Sequence, residues 1–252
     1  LEISKVFKTV MKNVALRLGF DVQRFIPAAS YAAQMKALLS WHGVDLILDV
    51  GANVGQYGTE LRDRVGYTGR IVSFEPMRIA YEKLCRLAAR DRCWEIAPRS
   101  AIGAQRGTVT INVAGNSASS SVLPMLESHM SAAPESRFVG IEVVPLTPLD
   151  AIAAGYFSPD TVGFLKIDTQ GYESEVLDGA MQTLSRVIGV QLELSVVPLY
   201  AGQKLMPELV DRMKSLGFEL WAMAPAFIEP RTARMLQLDA TFFRRKALAT
   251  RT

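Results

Sequence analysis

The chain has 252 residues, of which 49% are hydrophobic and 21% charged, with a formal net charge of +3. That length buries a full core in one α/β domain with additions and requires no second domain. The positive charge is spread thinly, without the dense Lys/Arg run of a phosphate-tracking surface, which excludes nucleic acid as the expected partner. Cys85 and Cys93 match neither a zinc pattern nor a disulfide framework and read as two buried thiols in reducing cytoplasm. No stretch has transmembrane length, and the first residues lack the apolar core of a signal peptide. Because the chain opens on Leu1 rather than Met, its native N-terminus is expected to lie upstream.

Residues 1–40 read as an N-terminal helical extension. Ile3, Val6, Phe7, Val10, Val14 and Leu18 recur at helical spacing with Lys5, Lys8, Lys12 and Arg17 between them. Packing against the domain is the commoner fate of such a helix; the other is peripheral contact with the inner face of a membrane. Pro27 breaks the run. Residues 41–252 then alternate: strand 46–50, helix 54–65, strand 70–75, helix 77–90 and strand 93–97, which implies right-handed βαβ units and a parallel sheet. Thr108 to Val113 is an extra strand, and the polar run Gly115 to Ser121 opens an insert, 115–138, read as a loop and a lid over the acceptor side. Strand 141–146, a short helix 148–153 and the apolar strand 162–167 follow. A helix at 174–184, strand 187–194, helix 207–216 and strands at 218–223 and 238–244 complete the chain. The last two strands lack a crossover helix, so they form an antiparallel hairpin on an otherwise parallel sheet.

Leu46-Ile47-Leu48-Asp49-Val50-Gly51-Ala52-Asn53-Val54-Gly55 is a buried strand ending in an acid, then a glycine turn that opens a helix. A dinucleotide site requires Gly-x-Gly-x-x-Gly so that bare backbone reaches the pyrophosphate; here Asn53 stands in the middle position. An acid at the strand end instead suits a cationic cofactor, and Asp49 would face the ammonium and sulfonium of S-adenosylmethionine. Glu75, in Phe74-Glu75-Pro76, closes the next strand about twenty residues beyond the loop, where a ribose-binding acid belongs. Asp168 ends a third such strand, with Glu193 and Asp239 on later ones. Ligands of open α/β sheets sit outside the carboxyl ends of strands, so Asp49, Glu75 and Asp168 should share one cleft. Asp168, Glu193 and Asp239 are also candidate oxygen ligands for Mg²⁺, with solvated acids or substrate hydrogen-bonding groups as the alternative. Of the two histidines, His42 lies on the side away from the cleft and reads as structural. His129, in the insert, is the candidate general base because an unperturbed imidazole titrates near neutrality.

The ordered set Asp49-Val50-Gly51-Ala52-Asn53-Val54-Gly55, Phe74-Glu75-Pro76, Lys166-Ile167-Asp168, Gln170-Gly171-Tyr172-Glu173 and Leu177-x-Gly179-Ala180 resembles the FkbM family of S-adenosylmethionine-dependent methyltransferases. Leu149-Asp150, Gln191 to Ser195 and Leu238 to Phe242 extend the likeness over roughly residues 40–245. The resemblance implies a Rossmann-like class I methyltransferase sheet and O-methylation of a sugar, glycolipid or related glycosylated metabolite, with polyketides as the alternative acceptor and a non-catalytic cofactor-binding module as the alternative class. It implies cofactor contacts from Asp49, Gly51, Asn53, Gly55 and Glu75, an adenine environment at Ser100 and Ala101, and supports His129 as the catalytic base, with Asp168 as the alternative group to take the proton. One departure is Glu229-Pro230-Arg231-Thr232-Ala233-Arg234, which stands where relatives have a short acidic turn with glycine; a basic turn would favour an anionic acceptor or lipid headgroup.

Overall fold

The computed structural model of the protein describes residues 2–20, 26 and 30–244; Pro27, the expected break, lies outside them. Helix α1 spans Glu2–Arg17 and α2 Tyr31–His42. Along α1 and just beyond it, Phe7, Val10, Met11, Val14, Leu16 and Leu18 are all exposed, so the expected packing of this helix on the domain is not what the structure shows. By contrast, α2 buries Ala32, Met35 and Leu39 on the sheet, whereas no described residue of α1 joins a core cluster. Ser30 caps α2 through its hydroxyl and Gly43 ends it in the left-handed region. This helix therefore crosses the boundary expected at residue 40.

The main sheet contains β1 (Leu46–Val50), β2 (Arg70–Phe74), β3 (Trp94–Ile96), β7 (Gly163–Ile167), β8 (Val187–Ser195), β9 (Phe218–Ile228) and β10 (Met235–Arg244). Its order is β3-β2-β1-β7-β8-β10-β9. The first five are mutually parallel, while β10 runs antiparallel to both β8 and β9, as the loop-joined final pair requires. Strands β4 (Ala101–Ile102), β5 (Gly107–Ala114) and β6 (Phe138–Thr147) form a separate sheet in the order β4-β6-β5. The connections carry α3 (Gln56–Glu60, continued by a π-helical turn to Val65), α4 (Arg78–Ala88), α5 (Glu127–Ala132), α6 (Asp150–Ala153), α7 (Glu173–Asp178), α8 (Met181–Arg186) and α9 (Met206–Ser215).

Alternation along each strand divides the core between the two faces of the main sheet. Leu46, Leu48, Val50, Val72, Phe74, Leu165 and Ile167 pack with α7, α8 and α9, while Ile47, Ile71, Phe164 and Phe243 pack with α2, α3 and α4. His42 is buried in this second layer, stacked on Phe243 at 4.1 Å between ring centres, in the structural role expected of it. Cys85 is partly buried and Cys93 exposed, which corrects the reading of both as buried thiols; Cys93 lies in the turn before β3, where the chain faces solvent.

Close approach of α3 to Trp94 is a requirement at Gly58, where an added Cβ would lie 2.2 Å from the indole. Alanine normally improves a helix position by about 1 kcal/mol over glycine, but overpacking a filled core costs about 1–3 kcal/mol. Gly58→Ala is therefore expected to lower stability in urea unfolding; a rise of about 1 kcal/mol, the propensity gain alone, would contradict this packing.

Candidate active site

Near the carboxyl ends of the strands, one face of the main sheet carries a row of polar side chains. Asp49 is in register with Ser73 on one side and Lys166 on the other; Lys166 is in register with Gln191, and Gln191 with Thr241. All five are buried. All have a polar partner across the row or in the layer above, although Asp49 Oδ1 has no hydrogen bond and only the Lys166 ammonium beside it. Ser73 donates to Asp49 at 3.0 Å and accepts from the Trp94 indole at 3.0 Å; Tyr57 donates to Gln191 at 3.0 Å; the Tyr31 and Thr241 hydroxyls lie 2.8 Å apart. At the centre, the Lys166 ammonium is 3.4 Å from Asp49, 3.4 Å from Asp168 and 3.4 Å from the Gly51 carbonyl, and 5.2 Å from the centre of the Tyr57 ring. Burial opposes its charge, yet Asp168 and then Asp49 hold its pKa above the ordinary lysine value. Burial pushes the Asp49 carboxyl the other way from a normal salt-bridged acid, upward, with Lys166 and Ser73 opposing.

A cavity of about 530 Å³ opens above this row. One end is built from the loop after β1. Gly51 has φ +80°, and a Cβ there would fall on the Asp168 carbonyl, so the β1 and β7 loops meet backbone to backbone. Asn53 takes φ +47°, a conformation asparagine tolerates better than most residues. Its amide donates to Glu75 Oε2 at 2.7 Å, while Met77 N donates to Oε1 at 2.8 Å. Gly51, Asn53, Glu75, Ser100 and Ala101 all line the cavity. Gly55 acts from behind it: φ is +96°, and a Cβ would crowd Leu87, Leu84 and Trp94, so this residue sets how α3 leaves the loop. Asp49 is a correction. It does not line the cavity; its carboxylate lies under the loop, fully buried and taken by Lys166 and Ser73 rather than presented to a cofactor. The remaining set, a bare loop opening a helix with a buried acid at the end of β2, fits S-adenosylmethionine.

The opposite end of the cavity is lined by Tyr57, Lys166, Asp168, Gln170, Gln191, Glu193 and Asp239, with α2 supplying Tyr31 and Met35. Asp168, Glu193 and Asp239 thus share the cleft, but not as a metal site. Gln170 Nε2 donates to Asp168 Oδ1 at 2.8 Å and to Glu193 Oε2 at 2.6 Å; Gln237 Nε2 donates to the same Glu193 oxygen at 2.7 Å; Gln191 hydrogen-bonds Asp239. Their oxygens face amide donors and one ammonium. Among the described residues no three His, Cys, Asp or Glu side chains form a metal-holding group, so the expected Mg²⁺ set does not fit.

The insert 115–138 is a further correction, because it is anchored rather than a free lid. Ser117 donates to the Asn53 side chain at 3.2 Å, Ser121 to the Gln170 carbonyl at 2.7 Å, and the Tyr200 hydroxyl to the Ser119 carbonyl at 3.0 Å. His129, on α5, packs edge-on to Tyr200 at 5.2 Å and lines an adjoining chamber instead of the main cavity. Burial lowers its pKa to about 4, with Glu135 opposing, so the near-neutral base expected from sequence is not present in this arrangement. The Glu229–Arg234 turn is closed on itself, with Arg231 Nε 3.1 Å from Glu229 Oε1, and lies off the cavity. Lys166, Gln170 and Gln191 stand in the sequence motifs without an assigned role, and Tyr57 is not singled out by sequence reasoning. The available signal was a polar residue at the penultimate position of three apolar strands: Asp49, Ser73 and Lys166.

The strand order, the single antiparallel strand near one edge and the glycine loop beside a β2-end acid define a Rossmann-like class I, S-adenosylmethionine-dependent methyltransferase domain. The model of the methyltransferase FkbM domain matches residues 49–220, and the chain belongs to that family. Among solved structures, a methyltransferase FkbM from Methylobacillus flagellatus KT is similar at 16% identity and a TM-score of 0.46, covering 79% of this chain and 43% of that one. The present chain thus spans less than half of that relative. Aeropyrum pernix fibrillarin, solved with natively bound S-adenosyl-L-methionine, is similar at 10% identity and a TM-score of 0.46, over 84% of this chain and 72% of that one. TehB from Haemophilus influenzae is similar at 8% identity and a TM-score of 0.45, over 84% and 62% respectively. No curated protein matches the chain. No helix among the described residues is long and apolar enough to cross a membrane.

Burial raises the Glu75 pKa to about 7, with the Met77 and Asn53 amides opposing. The folded chain holds this proton more tightly than the unfolded one, so its contribution to stability falls as pH rises from about 4.5 to about 7. If Glu75 takes the cofactor's ribose, cofactor binding has the opposite sign, because the ionised carboxylate is the stronger acceptor for hydroxyls. Calorimetry at pH 6 and pH 8 should show tighter S-adenosylmethionine binding at pH 8. Glu75→Gln should weaken binding at pH 8 by about 1.5–3 kcal/mol, the range for a hydrogen bond to a charged group, and flatten the pH dependence; an unchanged slope in the variant contradicts this role.

Proposed function

We propose that the chain methylates a hydroxyl oxygen of a sugar, glycolipid or related glycosylated metabolite, using S-adenosylmethionine. The observation that carries the reading is the continuity of one cavity, from Asn53 and Glu75 at the cofactor end to Asp168, Glu193 and Asp239 at the other. Bound there, the cofactor supplies a methyl group activated on a sulfonium. An alcohol is a weak nucleophile until its proton is removed, so the acceptor end must contain a group to receive that proton. Asp168 is the best placed, with about a third of its side chain exposed and both carboxylate oxygens within reach of donors it can exchange for substrate. Lys166 stabilises the carboxylate and fixes its orientation beside the Gly51 carbonyl. The amides of Gln170 and Gln191 and the Tyr57 hydroxyl suit an acceptor with several hydroxyls, since all can trade internal hydrogen bonds for substrate ones. Positioning together with removal of one proton is the catalysis this arrangement supports.

The test is transfer of labelled methyl from S-adenosylmethionine to a panel of glycolipids and sugar glycosides. Turnover on a sugar hydroxyl is expected, and Asp168→Asn should reduce kcat by about 10²–10⁴-fold without changing cofactor affinity. Cofactor binding without turnover on any member would favour a non-catalytic binding module. A fall of less than about tenfold in the variant, below the usual range for a lost base, would remove Asp168 from the proton transfer.

A further inference from the structure

Adjoining the acceptor end is a second, more open chamber of about 230 Å³. Ala118, Gln170 and Glu193 line both spaces, so the two share a wall whose polar part is the Gln170–Glu193 hydrogen bond. Of this chamber's lining, the mechanism above uses only the shared Gln170 and Glu193. Its own lining includes Asn116, Ser119, His129, Ser136 and Gln237, and the last four are nine-tenths or more buried. Asn116 Nδ2 reaches the Ser119 and Ser136 hydroxyls at 3.0 Å each, and those two hydroxyls lie 3.0 Å apart. His129 Nδ1 is buried and finds no hydrogen-bond partner. Leaving such a nitrogen unpaired costs about 1–3 kcal/mol, a cost that a water or a ligand hydroxyl reaching it would remove. Phe227 adds an apolar face.

We infer that this chamber is an acceptor subsite for a neutral, polyhydroxylated ring, the sugar unit adjoining the one that is methylated. The inference rests on the methyl-transfer reading above and makes the acceptor an oligosaccharide headgroup rather than a single sugar. The lining favours hydroxyls because amides, hydroxyls and a neutral imidazole both donate and accept, as a sugar hydroxyl does. Glu193 and Glu135 in the same lining disfavour an anion. The partition is suited to exchange. Gln170 is held at φ +54°, an uncommon conformation for a residue other than glycine, by Ser121 at its carbonyl and Tyr200 at its Oε1. Its Nε2 spans Asp168 and Glu193, and acceptor hydroxyls placed against those carboxylates would replace both bonds.

The chain has only two histidines, so imidazole ¹⁵N resonances report directly on the chamber. The protein with S-adenosylhomocysteine would be titrated with methyl maltoside, cellobioside and lactoside, and with the matching monosaccharide methyl glycosides. At least one disaccharide should move the His129 resonances without moving those of His42, and its monosaccharide counterpart should leave His129 unchanged. His129→Phe, which keeps the ring contacts with Tyr200 and Phe227, should weaken that disaccharide by about 2- to 10-fold, the loss of one neutral hydrogen bond, with cofactor affinity unchanged. Silence of His129 at saturating disaccharide, or equal shifts with monosaccharides, overturns the subsite. The readout needs no turnover, so failure of methyl transfer on every acceptor would count against the catalytic reading separately.

Discussion

The buried ammonium of Lys166 is the constraint on which the site depends. A charge inside a β-sheet loses several kcal/mol of hydration, and this one is retained because parallel register sets Asp49 beside it on β1 and because its own strand ends in Asp168 two residues on. The same register extends the polar row to Ser73 on one side and to Gln191 and Thr241 on the other. Helices then satisfy the row from above, through Tyr31 of α2 and Tyr57 of α3, with Trp94 at the edge. Packing of the α2–α3 layer and polarity of the cavity floor are consequently one arrangement.

That floor suits the two roles proposed for one cavity. At the end proposed for the cofactor the chain presents backbone and a single buried acid, with Asn53 joining the loop to Glu75 and, through its side chain, to Ser117 of the insert. At the acceptor end it presents side chains whose hydrogen bonds are mostly to one another, an internal network that a hydroxylated ligand can enter by exchange. The insert ties these ends together, since Ser117 holds the loop after β1 and Ser121 holds the loop after β7.

Much of the fold was legible because its strands are short apolar runs ending in acids, which place the carboxyl ends at a shared cleft before any coordinate is known. The glycine loop after β1 was legible for the same reason, and Gly51, Asn53, Glu75, Ser100 and Ala101 line the cavity. What stayed hidden was direction and partnership. Asp49 is a strand-end acid in sequence, but strand alternation turns it to the face where Lys166 waits, beneath the loop. His129 carries a near-neutral imidazole in sequence and a depressed one in the structure, because α5 buries it against Tyr200 and Phe227. The acids expected to hold Mg²⁺ are matched instead by glutamines far apart in the chain, a pairing that only the packing of β8 with β10 and the loop after β7 creates.

A double-mutant cycle on Asp49→Asn and Lys166→Met, read by urea unfolding, tests the central claim most directly. Breaking a buried pair by removing one partner leaves the other charge uncompensated and costs about 3–5 kcal/mol. Removing both charges should cost clearly less than the two single changes added together, with a coupling of about 1 kcal/mol or more. Additivity within about 0.3–0.5 kcal/mol, the behaviour of independent sites, would mean that the Asp49–Lys166 pair does not organise this sheet.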